Sequence, residues 1–94
     1  MATYIMFGKY SQASLKGISP QRTKKVANLV KKCKGRIQEI YALLGGQDLL
    51  IIADFPGTKE AMQASLSLTK LTGIAFATAP AVTVQEFDKL AAGA

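Results

Sequence analysis

The chain has no histidine and no tryptophan, and a single cysteine among 94 residues. Without histidine the commonest general base and the commonest metal ligand are missing. Ser-His-Asp and Cys-His nucleophile arrangements are excluded with it. The lone Cys33 rules out an intrachain disulfide and leaves a zinc site short of ligands. No apolar run approaches the ~20 residues of a membrane span. The first residues lack the charged region, long apolar stretch and cleavage site of a secretory signal. A reducing, cytoplasmic setting is therefore expected. There is no GxGxxG or P-loop pattern, and no cofactor and no metal are expected.

Acidic residues are absent from residues 1–36, which hold nine basic side chains, whereas the remainder holds three basic and all six acidic ones. Such lopsidedness raises an anionic partner as a possibility. The stretch around Lys24, Lys25, Lys31 and Lys32 carries no interleaved aromatics, and no RNA or DNA motif is present. A solvated outer helix face is the plainer reading, and it weighs against nucleic acid as a partner.

What is present is architectural. Two apolar runs, Ile40 to Leu44 and Leu49 to Ala53, flank Gly45-Gly46-Gln47-Asp48, a β-hairpin pattern. Thr3 to Lys9 reads as a first strand, and Tyr10 to Ser19 as a polar connection. Ser19-Pro20 opens a helix whose Val26, Leu29, Val30 and Cys33 follow the i, i+3, i+4, i+7 spacing of a buried stripe. Cys33 thus reads as a small hydrophobe. Gly35 is placed as a left-handed stop. Arg36 to Leu44 and Leu49 to Phe55 follow as strands. Thr58 is placed as the cap of a second helix with Ala61, Ala64, Leu68 and Leu71 inward. Ile74 to Ala79 is a fourth strand closed by Pro80. Thr83 and Glu86 form a capping box for a short last helix carrying Phe87 and Leu90 inward.

The order predicts one α+β domain over residues 1–94. It is a ferredoxin-like βαββαβ antiparallel sheet with two helices on one face and a short C-terminal helix. The first and third strands should be central. Strand side chains alternate between faces. Ile5, Phe7, Ile40, Ala42, Leu44, Leu49, Ile51, Ala53 and Phe55 are assigned to the helices. Tyr4, Met6, Gly8, Ile37, Glu39, Tyr41, Leu43, Leu50, Ile52 and Asp54 are assigned to the other face. That second face is too apolar to stay wet. A second copy of the chain is the expected cover, giving a homodimer in which further association through exposed edge strands stays open. Tyr4, Glu39, Tyr41 and Asp54 would line an inter-sheet cleft. Buried polar groups need partners, and convergent ones in an apolar cleft also suit a small, mostly apolar metabolite.

Thr3-Tyr4-Ile5, Gly17…Ser19-Pro20…Arg22, Gly35…Tyr41, Gly45-x-x-Asp48-Leu49, Pro56 and Thr83…Glu86-Phe87 follow one another over roughly residues 2 to 90. In that order the chain resembles the GYD-domain proteins. The resemblance implies a dimeric α/β barrel. It also implies kinship in fold with the effector-binding domains of feast/famine regulators, with small monooxygenases and with stress-responsive barrel proteins. The family's usual Gly-x-Tyr-Asp reads Gly45-Gly46-Gln47-Asp48, so glutamine stands where the tyrosine is expected. Gly45 and Asp48 keep their places, which suits a turn-shaping role.

Three functions are compatible with this reading. One is a non-catalytic small-molecule-binding or regulatory homodimer. Another is a cofactor-independent enzyme of monooxygenase or isomerase type, with Glu39 or Asp54 as base. The third is anion or nucleic-acid binding by the basic first helix.

Overall fold

The computed structural model describes residues 1–94. Its strands are β1 (Ala2–Lys9), β2 (Arg36–Ala42), β3 (Leu49–Phe55) and β4 (Ala75–Ala81). Its helices are α1 (Gln12–Lys16), α2 (Pro20–Lys32), α3 (Thr58–Thr72) and α4 (Val84–Gly93). Local chemistry sets most boundaries. The Ser19 hydroxyl accepts the Arg22 N–H at 3.0 Å, and Pro20 follows it in the first turn of α2. Gly73, in the left-handed region at φ 75°, ends α3 and donates its N–H to the Thr69 carbonyl. Thr83 caps α4 by accepting the Glu86 N–H at 3.1 Å.

The sheet is antiparallel throughout, in the order β2-β3-β1-β4. β1 and β3 are central, as the composition of the strands predicts. With α2 and α3 on one face, this is a ferredoxin-like α+β arrangement. The core lies between that face and the helices. Val26 and Val30 from α2 and Ala61, Ala64 and Leu68 from α3 meet Tyr4, Met6, Ile51, Ala53 and Phe55 from the strands.

The structure corrects several expectations. On β1 it is Tyr4, Met6 and Gly8 that face the helices, while Ile5 and Phe7 face away. Directly paired residues of an antiparallel ladder share a face. Tyr4 pairs with Ala53 and Met6 with Ile51, so the β3 core residues decide the matter. On β2 a bulge between Ile37 and Glu39 shifts the alternation, so Ile37 and Ile40 both pack against the core.

Gly35 is not the left-handed stop. Lys34 takes that conformation at φ 64°, and the Lys34 and Gly35 N–H groups close the helix end on the Lys31 and Val30 carbonyls. Gly35 instead lies directly under the Phe55 ring. Thr58 begins α3 rather than capping it, Gly57 being the cap. Thr72, not Leu71, completes the buried side of α3. Pro80 does not end β4 but pairs with Tyr4 within it. An edge strand tolerates the missing N–H. The connection after β1 contains α1, capped reciprocally by Ser11 and Ser14. Finally, Phe87 and Leu90 are exposed, and no residue of α4 is buried.

Candidate functional site: the open face of the sheet

The face turned away from α2 and α3 is built by alternation. β1 contributes Thr3, Ile5 and Phe7, β3 contributes Leu50, Ile52 and Asp54, and β4 contributes Ala77, Ala79 and Ala81 by register. On β2, Glu39 lies opposite Ile52 and Tyr41 opposite Leu50. Phe7, Tyr41 and Leu43 are exposed, and Ile5, Leu50 and Ile52 are only half-buried. No helix of this chain covers them.

One end of this face is polar and highly organised. Asp54 is buried. Its Oδ1 accepts the Thr3 hydroxyl at 2.8 Å and the Gln38 amide at 2.7 Å, and its Oδ2 accepts the Arg36 guanidinium at 3.0 Å. Arg36 and Gln38 reach the same carboxylate from positions beside the β2 bulge. The Thr3 hydroxyl foremost, and then Arg36, hold the Asp54 carboxyl below the usual carboxylate range. Partial burial opposes them. An anion so held is a poor proton acceptor and a good fixed point. Next to it lies a hollow of about 310 Å³ lined by Thr3, Ile5, Gln38, Ala81, Val82 and Thr83. Its floor is aliphatic, and its polar groups are two hydroxyls and an amide, all neutral.

The residues expected in one cleft do not all meet. Asp54, Glu39 and Tyr41 do lie on strands of this face, but Asp54 pairs with Arg36 rather than with Glu39. Tyr4 must be reassigned. It lies on the helix side, its ring edge-on to Phe55 at 5.9 Å between centroids and its hydroxyl 3.3 Å from the Thr58 hydroxyl. There it borders a second groove, also of about 310 Å³, with Thr58, Met62, Ser65, Leu66 and Thr78. The sequence reading missed Thr3, Arg36 and Gln38 as partners of Asp54. Thr3 was legible in principle, because an antiparallel β1–β3 pair that matches Tyr4 with Ala53 sets Thr3 against Asp54.

Asp48 works at a distance. Its carboxylate accepts the Tyr10 N–H at 2.9 Å, and its own N–H donates to the Gly8 carbonyl at 2.9 Å. The hairpin turn is thereby tied to the end of β1. Gly45, at φ 148°, takes the backbone conformation that side chains avoid. Lys24, Lys25, Lys31 and Lys32 are exposed on α2. No three His, Cys, Asp or Glu side chains gather to hold a metal. No helix is long and apolar enough to cross a membrane. Burial pushes the Cys33 thiol above its ordinary value.

No curated protein and no solved structure gives a significant match to the chain. A family model described as the GYD domain matches residues 4–91. With the match spanning almost the whole sheet-and-helix unit, the chain belongs to the GYD-domain family.

Proposed function

We propose that this GYD-domain protein is a non-catalytic, homodimeric binding module that holds a small, mostly apolar molecule between two sheets. The observation that carries the reading is the uncovered face itself. Ile5, Phe7, Leu50, Ile52 and Tyr41 form a contiguous apolar surface across three strands. Surfaces of that kind mark an interaction site. A second copy packed sheet to sheet at ~10 Å is the simplest cover.

The hollow beside Asp54 supplies the place for the ligand. Its lining fits an aliphatic or aromatic body with one neutral hydrogen-bonding group, met by Thr3, Thr83 or Gln38. Asp54 supports this role by fixing Thr3 and Gln38 in position. The same grip argues against Asp54 as a catalytic base. Its carboxylate is already engaged by three donors and is held ionised.

Native mass spectrometry of freshly purified protein tests the reading. The expected result is a dimer carrying an additional small mass, or an apo-dimer whose melting temperature rises with some members of a metabolite library. A dimer with no co-purifying mass and no thermal shift across the library would remove the ligand. A monomer at high micromolar concentration would remove the cleft altogether.

A further inference from the structure

We infer that α4 is an arm that packs against a second copy of the chain, extending the interface made by the open sheet face. The inference rests on the dimer proposed above and adds a second surface to it. Val84, Phe87 and Leu90 lie at i, i+3 and i+6, and they are 76, 61 and 58 % exposed. No residue of α4 is buried, and α4 makes no extensive contact with any other element. Yet it is a well-started helix, capped by Thr83. A ten-residue helix is shorter than the ~12–15 residues at which isolated helices become even marginal in water, and most helical stability comes from packing an apolar face. Something must therefore cover the stripe.

Three observations point to a second copy. The first is continuity. Val82 and Thr83, which lead into α4, line the hollow on the open face together with Thr3, Ile5 and Gln38. The arm therefore departs from the rim of the surface that a second sheet would cover.

The second is charge. Residues 84–94 hold two acids, Glu86 and Asp88, and one base, Lys89. Residues 1–83 hold eleven bases and four acids. The arm is the acidic part of an otherwise basic chain, so the body of another copy is a complementary partner. Asp88 flanks the stripe, four residues on from Val84.

The third is area. One eight-residue and three seven-residue strands at ~3.3 Å per residue and ~4.8 Å spacing give a flat footprint of roughly 450 Å². That footprint is modest beside the ~800 Å² of accessible surface that each partner buries in a stable interface. A ten-residue helix lays down roughly 150 Å² on one side. In a two-fold dimer each protomer both gives and receives one arm, which brings the total to roughly 750 Å².

Sedimentation equilibrium of the full-length chain tests the arm, comparing the wild type with Phe87→Glu/Leu90→Glu, with Asp88→Lys and with Phe7→Glu. The double variant changes only exposed positions of α4. It should raise the dimer dissociation constant at least about 100-fold, as removal of buried anchors from both copies does, while far-UV circular dichroism loses at most the helical signal of α4 and keeps that of the other elements. Asp88→Lys keeps the stripe, and should weaken the dimer and flatten its salt dependence. If Phe7→Glu separates the copies while both α4 variants associate like the wild type, the arm is overturned and the sheet dimer stands. If the double variant instead lowers the melting temperature equally at every concentration with an unchanged dissociation constant, the stripe covers its own protomer and the inference fails. A wild-type monomer at ~100 μM, above the micromolar range of ordinary specific association, would overturn the arm and the sheet dimer together.

Discussion

A methyl group added at Gly35 should cost this protein much of its stability, while the same methyl at Gly46 should cost nothing. A Cβ at Gly35 would lie 2.4 and 2.6 Å from two carbons of the Phe55 ring and 3.0 Å from the Asp54 carbonyl oxygen. Neither neighbour can retreat freely. Phe55 is fully buried and edge-on to Tyr4, and the Asp54 side chain is tied to three partners. Overpacking of this kind costs about 1–3 kcal/mol, and losing the edge-to-face geometry adds about 0.5–1.5 kcal/mol. The unfolded-state benefit of replacing glycine returns about 0.4–1 kcal/mol. A net loss of about 2 kcal/mol follows, which for a domain of this size is about 8–16 °C in melting temperature. At Gly46 an added Cβ meets nothing within 4 Å and the backbone is not left-handed, so only the unfolded-state term remains. Gly46→Ala should be neutral or stabilising by up to about 1 kcal/mol. Thermal and urea denaturation at matched protein concentration read both. Equal stability of Gly35→Ala and the wild type, or a Gly46→Ala variant less stable than Gly35→Ala, would refute the close approach of Gly35 to Phe55.

Asp54 gives a pH signature. Its folded carboxyl titrates below its ordinary value, so the unfolded chain takes up the proton first. Its contribution is complete above about pH 5 and fades as pH falls through about 4 and below. Asp54→Asn should lose about 1–3 kcal/mol at pH 7, and its stability should change less between pH 6 and pH 3 than that of the wild type in urea titrations. Phe7→Glu should dissociate the dimer. At 37 % exposure the Phe7 ring offers about 75 Å² per copy, about 2 kcal/mol, doubled by two-fold symmetry to about 1,000-fold in dissociation constant. Light scattering across a dilution series reads it, and an unchanged mass would count against the sheet interface. Cys33, pushed up by burial, should react with a disulfide reagent more slowly at pH 7.5 than a free thiol and accelerate as pH rises. Fast labelling at pH 7.5 would contradict its half-buried place beside the core.

Apart from α1, which the polar Tyr10 to Ser19 stretch concealed, the element order and the helix starts at Ser19 and Thr83 were legible from short-range chemistry, and the central positions of β1 and β3 from the topology and the apolar character of those strands. The buried side of β1 was not. Tyr4-Ile5-Met6-Phe7 is apolar at every position, so alternation carries no information, and the ladder with β3 chooses. The β2 bulge was equally invisible, and it puts Ile37 and Ile40 on the same side and brings Gln38 to Asp54. Of the four residues expected to share a cleft, Asp54, Glu39 and Tyr41 remain on the open-face strands and Tyr4 departs for the opposite side. The inward placing of Phe87 and Leu90 failed for a different reason. An amphipathic period marks an apolar side on a helix and not what that side meets; in α4 no residue is buried.

The position of β1 has a consequence for how this protein comes into being. β1 is a central strand, and its two neighbours in the sheet begin only at Leu49 and Ala75. Until β3 has been made β1 has no ladder to join, and until β4 has been made one of its edges stays open. Closing such long loops is slow. The sheet should therefore assemble late and nearly all-or-none, and a chain cut before β4 would leave one edge of β1 unpaired and prone to association.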